Sequence, residues 1–248
     1  MGKEVKKKDQ SELVDRSMFE GQPTGFEGTD SQTFKTPFLK ILQGLSPELS
    51  PSNAKHIPGA QIGKFCNSAT QQLYDSINVV VLRIDHTLVV WKPDRGGFVG
   101  RYPKSQEKEI VHGQEGVQKW DADMNEVIDT IEFYCINIDD PSDIFIFPLS
   151  TASLKHAKAW ATRIRLLKAD GKPIPVSWAG VWNISTMEET NDKGTWSTLG
   201  ATPDFSRFVT MEEKDNFIIP AIEMLKTAET DYNVMVEDSE EDDVDSEY

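Results

Sequence analysis

At 248 residues, with 38% hydrophobic and 9% aromatic residues, the chain has enough apolar material to bury a real core, so it reads as a globular protein with tails. Its two cysteines, Cys66 and Cys135, stand far apart, which excludes a disulfide framework and a paired zinc ribbon, and no 18 apolar residues run together, so neither export nor a membrane span is expected and a reducing cytoplasm fits best. The net charge of −15 is unevenly placed, because residues 229–248 hold ten acids and no base, leaving 26 bases against 31 acids in residues 1–228.

Residues 1–33 are polar and rich in Gly, Ser and Thr, and read as a flexible leader to a domain over 34–228. In "TPFLKILQGLSPELSPSNAKHIPGAQIGKF", prolines at 37, 47, 51 and 58 forbid a long helix and predict an irregular wrapping segment. "INVVVLRI" (77–84) and "TLVVWK" (87–92) are β-branched runs and predict two strands on either side of Asp85 and His86. "FVGRY" (98–102) follows a Gly-containing connection, and the polar stretch from 103 to about 126 carries few structural signals. "TIEFYCINI" (130–138) and "DIFIFPL" (143–149) flank Asp139, Asp140, Pro141 and Ser142, a turn sequence that predicts a hairpin.

The clearest helix is "STASLKHAKAWATRIRLLKADGK", capped near 150–151 and closing at Gly171. At 100° per residue its Leu154, Ala157, Trp160, Ala161, Ile164 and Leu167 gather on one side, with Lys155, Lys158, Arg163 and Arg165 on the other, which predicts a helix packed on a sheet with a basic back. "VSWAGVWNIS" (176–185) and "TWSTLG" (195–200) read as strands around a polar loop, and Trp178 and Trp182, four apart, are placed on one side of a strand. A last helix over about 212–228 follows the capping-box pattern of Thr210 and Glu213, with Pro220 expected to kink it. The sum is a β-rich α+β domain, an OB-fold-like small barrel with added strands and one or two helices between disordered termini; strand alternation alone leaves a β-sandwich open.

Among motifs of enzymes, no phosphate-binding glycine loop, nucleophile elbow or metalloprotease helix occurs, and His56, His86, His112 and His156 show no metal spacing, so no cofactor is expected. What stands out is basic residues interleaved with aromatic ones. In "WKPDRGGFVGRYPK", Trp91, Phe98 and Tyr102 alternate with Lys92, Arg95, Arg101 and Lys104. Single-stranded nucleic acid asks for this mixture, since unpaired bases stack on rings at about 1–3 kcal/mol each and phosphates take Lys and Arg. The same rings also suit a hairpin core. Residues 144–169 contain no acid but hold Lys155, Lys158, Arg163, Arg165 and Lys168, which makes the helix back a second candidate surface.

The chain ends "VEDSEEDDVDSEY", a charged run with too little apolar material to offset the cost of ordering, and therefore a disordered arm over 229–248 with Tyr248 at its tip. This arm, with "TPFLKILQGLSPEL", "IPGAQIGKF", "LSTASLKHAKAW" and "NDKGTW", resembles bacteriophage single-stranded DNA-binding proteins over roughly residues 34–200 and the tail. The resemblance implies an OB-fold core with a basic and aromatic groove, and sequence-tolerant, non-catalytic binding of single-stranded DNA in replication, recombination or repair. It also implies that Asp242, Asp243, Asp245, Glu247 and Tyr248 contact replication or recombination proteins in the host cytoplasm. A homodimer is left open. Two competing readings are an acidic DNA mimic that inhibits a host enzyme, and a divalent-metal nuclease built on Asp139, Asp140 and Asp143.

Overall fold

The computed structural model describes residues 37–192, 194–200 and 203–228, without the side chains of Arg95 and residues 226–228. The leader and the arm, including Asp242, Asp243, Asp245, Glu247 and Tyr248, lie outside the described residues. The proline-rich segment wraps as expected, around a small antiparallel sheet of β1 (Leu39–Ile41), β2 (Phe65–Asn67) and β3 (Leu73–Tyr74).

Instead of the two strands expected, residues 76–91 form one strand, β4 (Ser76–Trp91). Asp85 and His86 do not interrupt it, because the strand is a ladder partner rather than a solitary hairpin arm, and its polar side chains find Arg83 and Asp129. A bulge between Val81 and Arg83 bends it there, which lets a long strand serve two halves of a curved sheet. β5 (Phe98–Pro103) pairs with its end, and the stretch from 103 to 126 is better structured than its sequence suggested: α1 (Glu107–Ile110) and a hairpin of β6 (Gly113–Glu115) and β7 (Gln118–Trp120). β8 (Glu126–Asn137) and β9 (Ile144–Ser150) form the expected hairpin, with the turn at residues 139–142.

α2 (Leu154–Arg165) is shorter than predicted. The sequence Asp170-Gly171 takes positive φ at both residues (50° and 76°), the geometry of a tight hairpin turn, and joins β10 (Lys168–Ala169) to β11 (Lys172–Pro173) in place of a last helical turn. β12 (Gly180–Asn191) runs through most of the segment read as a polar loop and pairs with β13 (Gly194–Leu199), while β14 (Asp204–Phe208) lies on its first half. α3 (Met211–Glu213) opens with the Thr210–Glu213 capping box and passes through a π turn, Lys214–Ile218, into α4 (Ile219–Ala228). The widened turn falls directly ahead of Pro220, which has no N–H to donate and crowds the preceding turn.

The main sheet runs β13–β12–β4–β8, with β9 on the far edge of β8, and curls into a half-barrel. Its open side is spanned by the N-terminal segment: Phe38 bridges Ile146 in parallel, and the Gln43 amide bonds both backbone groups of Ser197, Nε2 to the carbonyl at 2.8 Å and Oε1 from the N–H at 3.0 Å. A meander β4–β8–β9, then a helix, then a hairpin whose first strand returns to β4 is OB connectivity, so the β-rich α+β, OB-like class expected from the sequence holds. The concave face packs on α2, burying Val79, Phe133, Trp182 and the helix residues Ala157, Trp160 and Ile164, as the periodicity predicted. The convex face packs Val80, Ile136 and Val181 under Ile218 and Ala221. Trp178 belongs to this second cluster and Trp182 to the first: Trp178 sits in a 3₁₀ turn ahead of β12, so the two rings do not share a face. Among the described residues no helix is long and apolar enough to cross a membrane.

Candidate nucleic-acid interface

The "WKPDRGGFVGRYPK" residues do not form one groove. Trp91 and Phe98 are opposed across the β4–β5 ladder and meet edge to face, ring centroids 5.5 Å apart. Tyr102 pairs with Leu88 on the other face, lies over Gly100, whose missing side chain makes room for the ring, and packs with Leu88, Val90 and Val127. Lys92 is exposed, and the Arg95 side chain lies outside the described residues. Arg101 is held by Glu132, which is only 3% exposed, and by the Tyr134 hydroxyl at 2.8 Å. Burial pushes the Glu132 carboxyl up, against the pull of Arg101. Arg101 thus sits in a half-buried ion pair, whose first duty is to compensate that carboxylate.

Lys155, Lys158 and Arg165 are exposed along α2. Lys155 pairs with Glu189 at 2.7 Å, and the same carboxylate takes His156 at 2.8 Å. Arg163 is tucked in, its Nη1 donating to the Pro203 carbonyl at 2.7 Å and its guanidinium 5.5 Å above the Trp182 ring. The three carboxylates considered for Mg²⁺ are engaged separately. Buried Asp143 accepts from Asn67 (2.7 Å) and Tyr74 (2.6 Å), Asp139 from Asn78 (2.8 Å), and Asp140 from Ser142 (2.6 Å). Among the described residues no three His, Cys, Asp or Glu converge as a metal site would require.

What the fold builds instead is a cleft of about 980 Å³. One wall is the β6–β7 hairpin with Gln114 and Lys119, the other is the tip of β12–β13 with Asn191 and Trp196, and the floor is the start of β8 and residues 151–154 leading into α2. These walls are the loop between the first two barrel strands and the loop between the last two, the elements that OB folds use for oligonucleotides. Trp196 is half-buried, and its Nε1 has no hydrogen-bond partner among the described residues. Thr151, at the floor, has φ 47°, an outlier for a β-branched residue. Sequence reading passed over Trp196, seen only as a strand residue, and Lys119, in a stretch without apparent structure.

A charge cluster fastens the first wall. Lys119 reaches both Glu107 and Asp129 at 2.5 Å, and Lys104 reaches Glu107 at 2.7 Å and also Asp129. Burial opposes ionisation of Asp129, but the ammonium groups of Lys104 and Lys119 outweigh it and hold the carboxyl at about 2. A carboxyl lowered on folding contributes stability above its ordinary value of 3.8, and that contribution is lost as pH falls through about 2. Asp129→Asn is therefore expected to destabilise at neutral pH, with the difference from wild type closing toward pH 2, and to speed amide exchange in residues 113–120 while β8 and β9 stay protected. Unchanged exchange in that hairpin would show that the cluster does not fasten it.

A family model described as the Pam3 phage gp34-like protein matches residues 4–229. No curated protein and no solved structure matches the chain. The match takes in the barrel, α2 and both walls of the cleft, and the chain belongs to the Pam3 phage gp34-like protein family.

Proposed function

We propose that this phage-family protein binds single-stranded DNA without catalysing a reaction, and that the cleft between the β6–β7 and β12–β13 hairpins is where the strand is held. The observation that carries the reading is that the two loops used for oligonucleotides by OB folds close on one cleft with an aromatic ring, Trp196, in its wall. A base stacked on that ring brings a π face that needs no particular sequence, and the amides of Gln114 and Asn191 can meet base edges or sugar. Phosphates then fall to exposed Lys158 beside the floor, and to Lys155 once a phosphate displaces its solvent-exposed pairing with Glu189. Lys119 shapes the wall rather than offering its charge, since two carboxylates already hold it. The acidic segment 229–248, with Asp242, Asp243, Asp245, Glu247 and Tyr248, is assigned to replication or recombination partners.

Trp196→Ala is expected to weaken binding of labelled oligothymidylate by about 1–3 kcal/mol, roughly 5- to 150-fold, with Trp196→Phe keeping most of the affinity. Binding titrations checked against melting curves measure this. With about four to six phosphates engaged, log K should fall with log salt at a slope of about −3 to −4. Equal affinities of wild type and Trp196→Ala, or a wild-type protein that binds no oligonucleotide at low salt, would overturn the reading.

A further inference from the structure

At the far end of α2 from the cleft, the concave side of the sheet carries a second row of rings. Trp182, 1% exposed, meets Phe205 edge to face at 5.6 Å, and Phe205 meets Phe208 at 5.0 Å. Phe205 faces Trp182 across the β12–β14 ladder and Phe208 faces Gly180, so both stand on the side that α2 covers, just beyond its last turn. Close packing explains the arrangement. A side chain at Gly180 would meet Phe205 at 3.1 Å and Leu167 at 3.2 Å, so glycine lets the end of α2 and the ring come together. The row begins in the core and ends in solvent, with Phe208 41% exposed.

The charges around this row are mainly positive on the helix side, with Asp170 in the β10–β11 turn as the acid among them. Arg165 on α2 and Lys168 and Lys172 on the β10–β11 hairpin are exposed, and Arg163 lies over Trp182, the innermost ring. Residues 144–169, from β9 through α2, contain no acid. The nearest acid on β14, Asp204, alternates to the opposite side of the strand from Phe205. Between the cleft and the row, Lys155, Lys158 and Arg165 recur at helical spacing along one exposed line of α2.

We propose that Phe205 and Phe208 form a second base-stacking platform, so that one single strand leaves the cleft, follows the basic line of α2 and stacks again at Phe208. This rests on the single-strand binding proposed above and adds its path and length. A helix of α2's 12 residues is roughly 18 Å long, about five nucleotides at a stacked rise of about 3.4 Å. A stacked strand of that length only covers α2 and leaves no base for a ring beyond each end, whereas a strand of about 15 nucleotides, within the upper range of OB-fold site sizes, can fill both.

The test compares labelled oligothymidylates of about 5 and about 15 nucleotides on the full chain, using Phe208→Ala, whose exposed ring makes it the safer variant, and Phe208→Trp as the rescue. Phe208→Ala should weaken the longer oligonucleotide about 10-fold and leave the shorter one unchanged, Phe208→Trp should restore the longer, and Trp196→Ala should weaken both. Equal affinity of Phe208→Ala and wild type for the longer strand overturns the second platform, as does equal weakening at both lengths. A wild-type dimer in sedimentation that Phe208→Ala dissociates would assign the row to a second copy of the chain and also overturns it. Failure of the wild type to bind either length overturns the underlying reading instead, which separates the two failures.

Discussion

Trp160→Ala is expected to lower the folding free energy by about 3–5 kcal/mol, the upper range for truncation of a buried side chain. The ring is fully buried, stacks on Phe133 with centroids 4.3 Å apart, and joins α2 to the concave face of the sheet. Truncation removes the whole indole from the middle of a close-packed layer, where neighbours relax only partly. For a chain of this size the loss corresponds to a fall in melting temperature of roughly 10 °C. Trp160→Phe separates packing from polarity. The Nε1 of Trp160 has no hydrogen-bond partner among the described residues, so the indole already carries an unmet donor, and phenylalanine removes that cost while keeping most of the contacts. Chemical denaturation should place Trp160→Phe much nearer wild type than Trp160→Ala. A Trp160→Ala protein within about 1 kcal/mol of wild type would mean that α2 is not anchored through this ring.

Arg101→Ala should be nearly as costly, about 3 kcal/mol or more, because it strands the Glu132 carboxylate in a site that is 3% exposed. The pH dependence follows from the direction of the Glu132 shift. Burial raises this carboxyl above its ordinary 4.5 even with Arg101 beside it, and removing the guanidinium raises it further. A raised carboxyl holds its proton more tightly in the folded than in the unfolded chain, so its ionised form opposes folding. The deficit of Arg101→Ala is thus full at pH 7 and shrinks as pH falls through the raised value toward 4.5. Replacing both partners by methionine should recover much of the stability, since an apolar pair needs no compensation. That double variant also tests the DNA-binding role read from the sequence. If it melts near wild type and still binds oligothymidylate, Arg101 serves the fold. A 10-fold loss of binding with melting unchanged would return Arg101 to the interface.

These expectations separate what local pattern carries from what it cannot. The hairpin turn at 139–142, the Thr210–Glu213 capping box and the apolar side of α2 were legible because each is written within a few residues, where backbone geometry and periodicity act. The β-rich class follows from the same short-range signals. By contrast, the basic and aromatic residues from 91 to 104 looked like one surface and proved to be divided between two faces, because a bulge between Val90 and Trp91 and strand alternation set their directions. Composition announces a cation, but its partner depends on which strand lies alongside: Arg101 finds Glu132 31 positions away, and Gln43 closes the barrel on Ser197 154 positions away. The cleft is likewise a tertiary object, with Lys119 and Trp196 brought to opposite walls by the curl of the sheet around α2. The sequence by itself therefore determined the β-rich class, its principal helix and the turns that join its hairpins, since these rest on neighbours along the chain. Only the tertiary structure decided which charges are committed to ion pairs and where a cleft opens between the two hairpins, since these rest on neighbours across it.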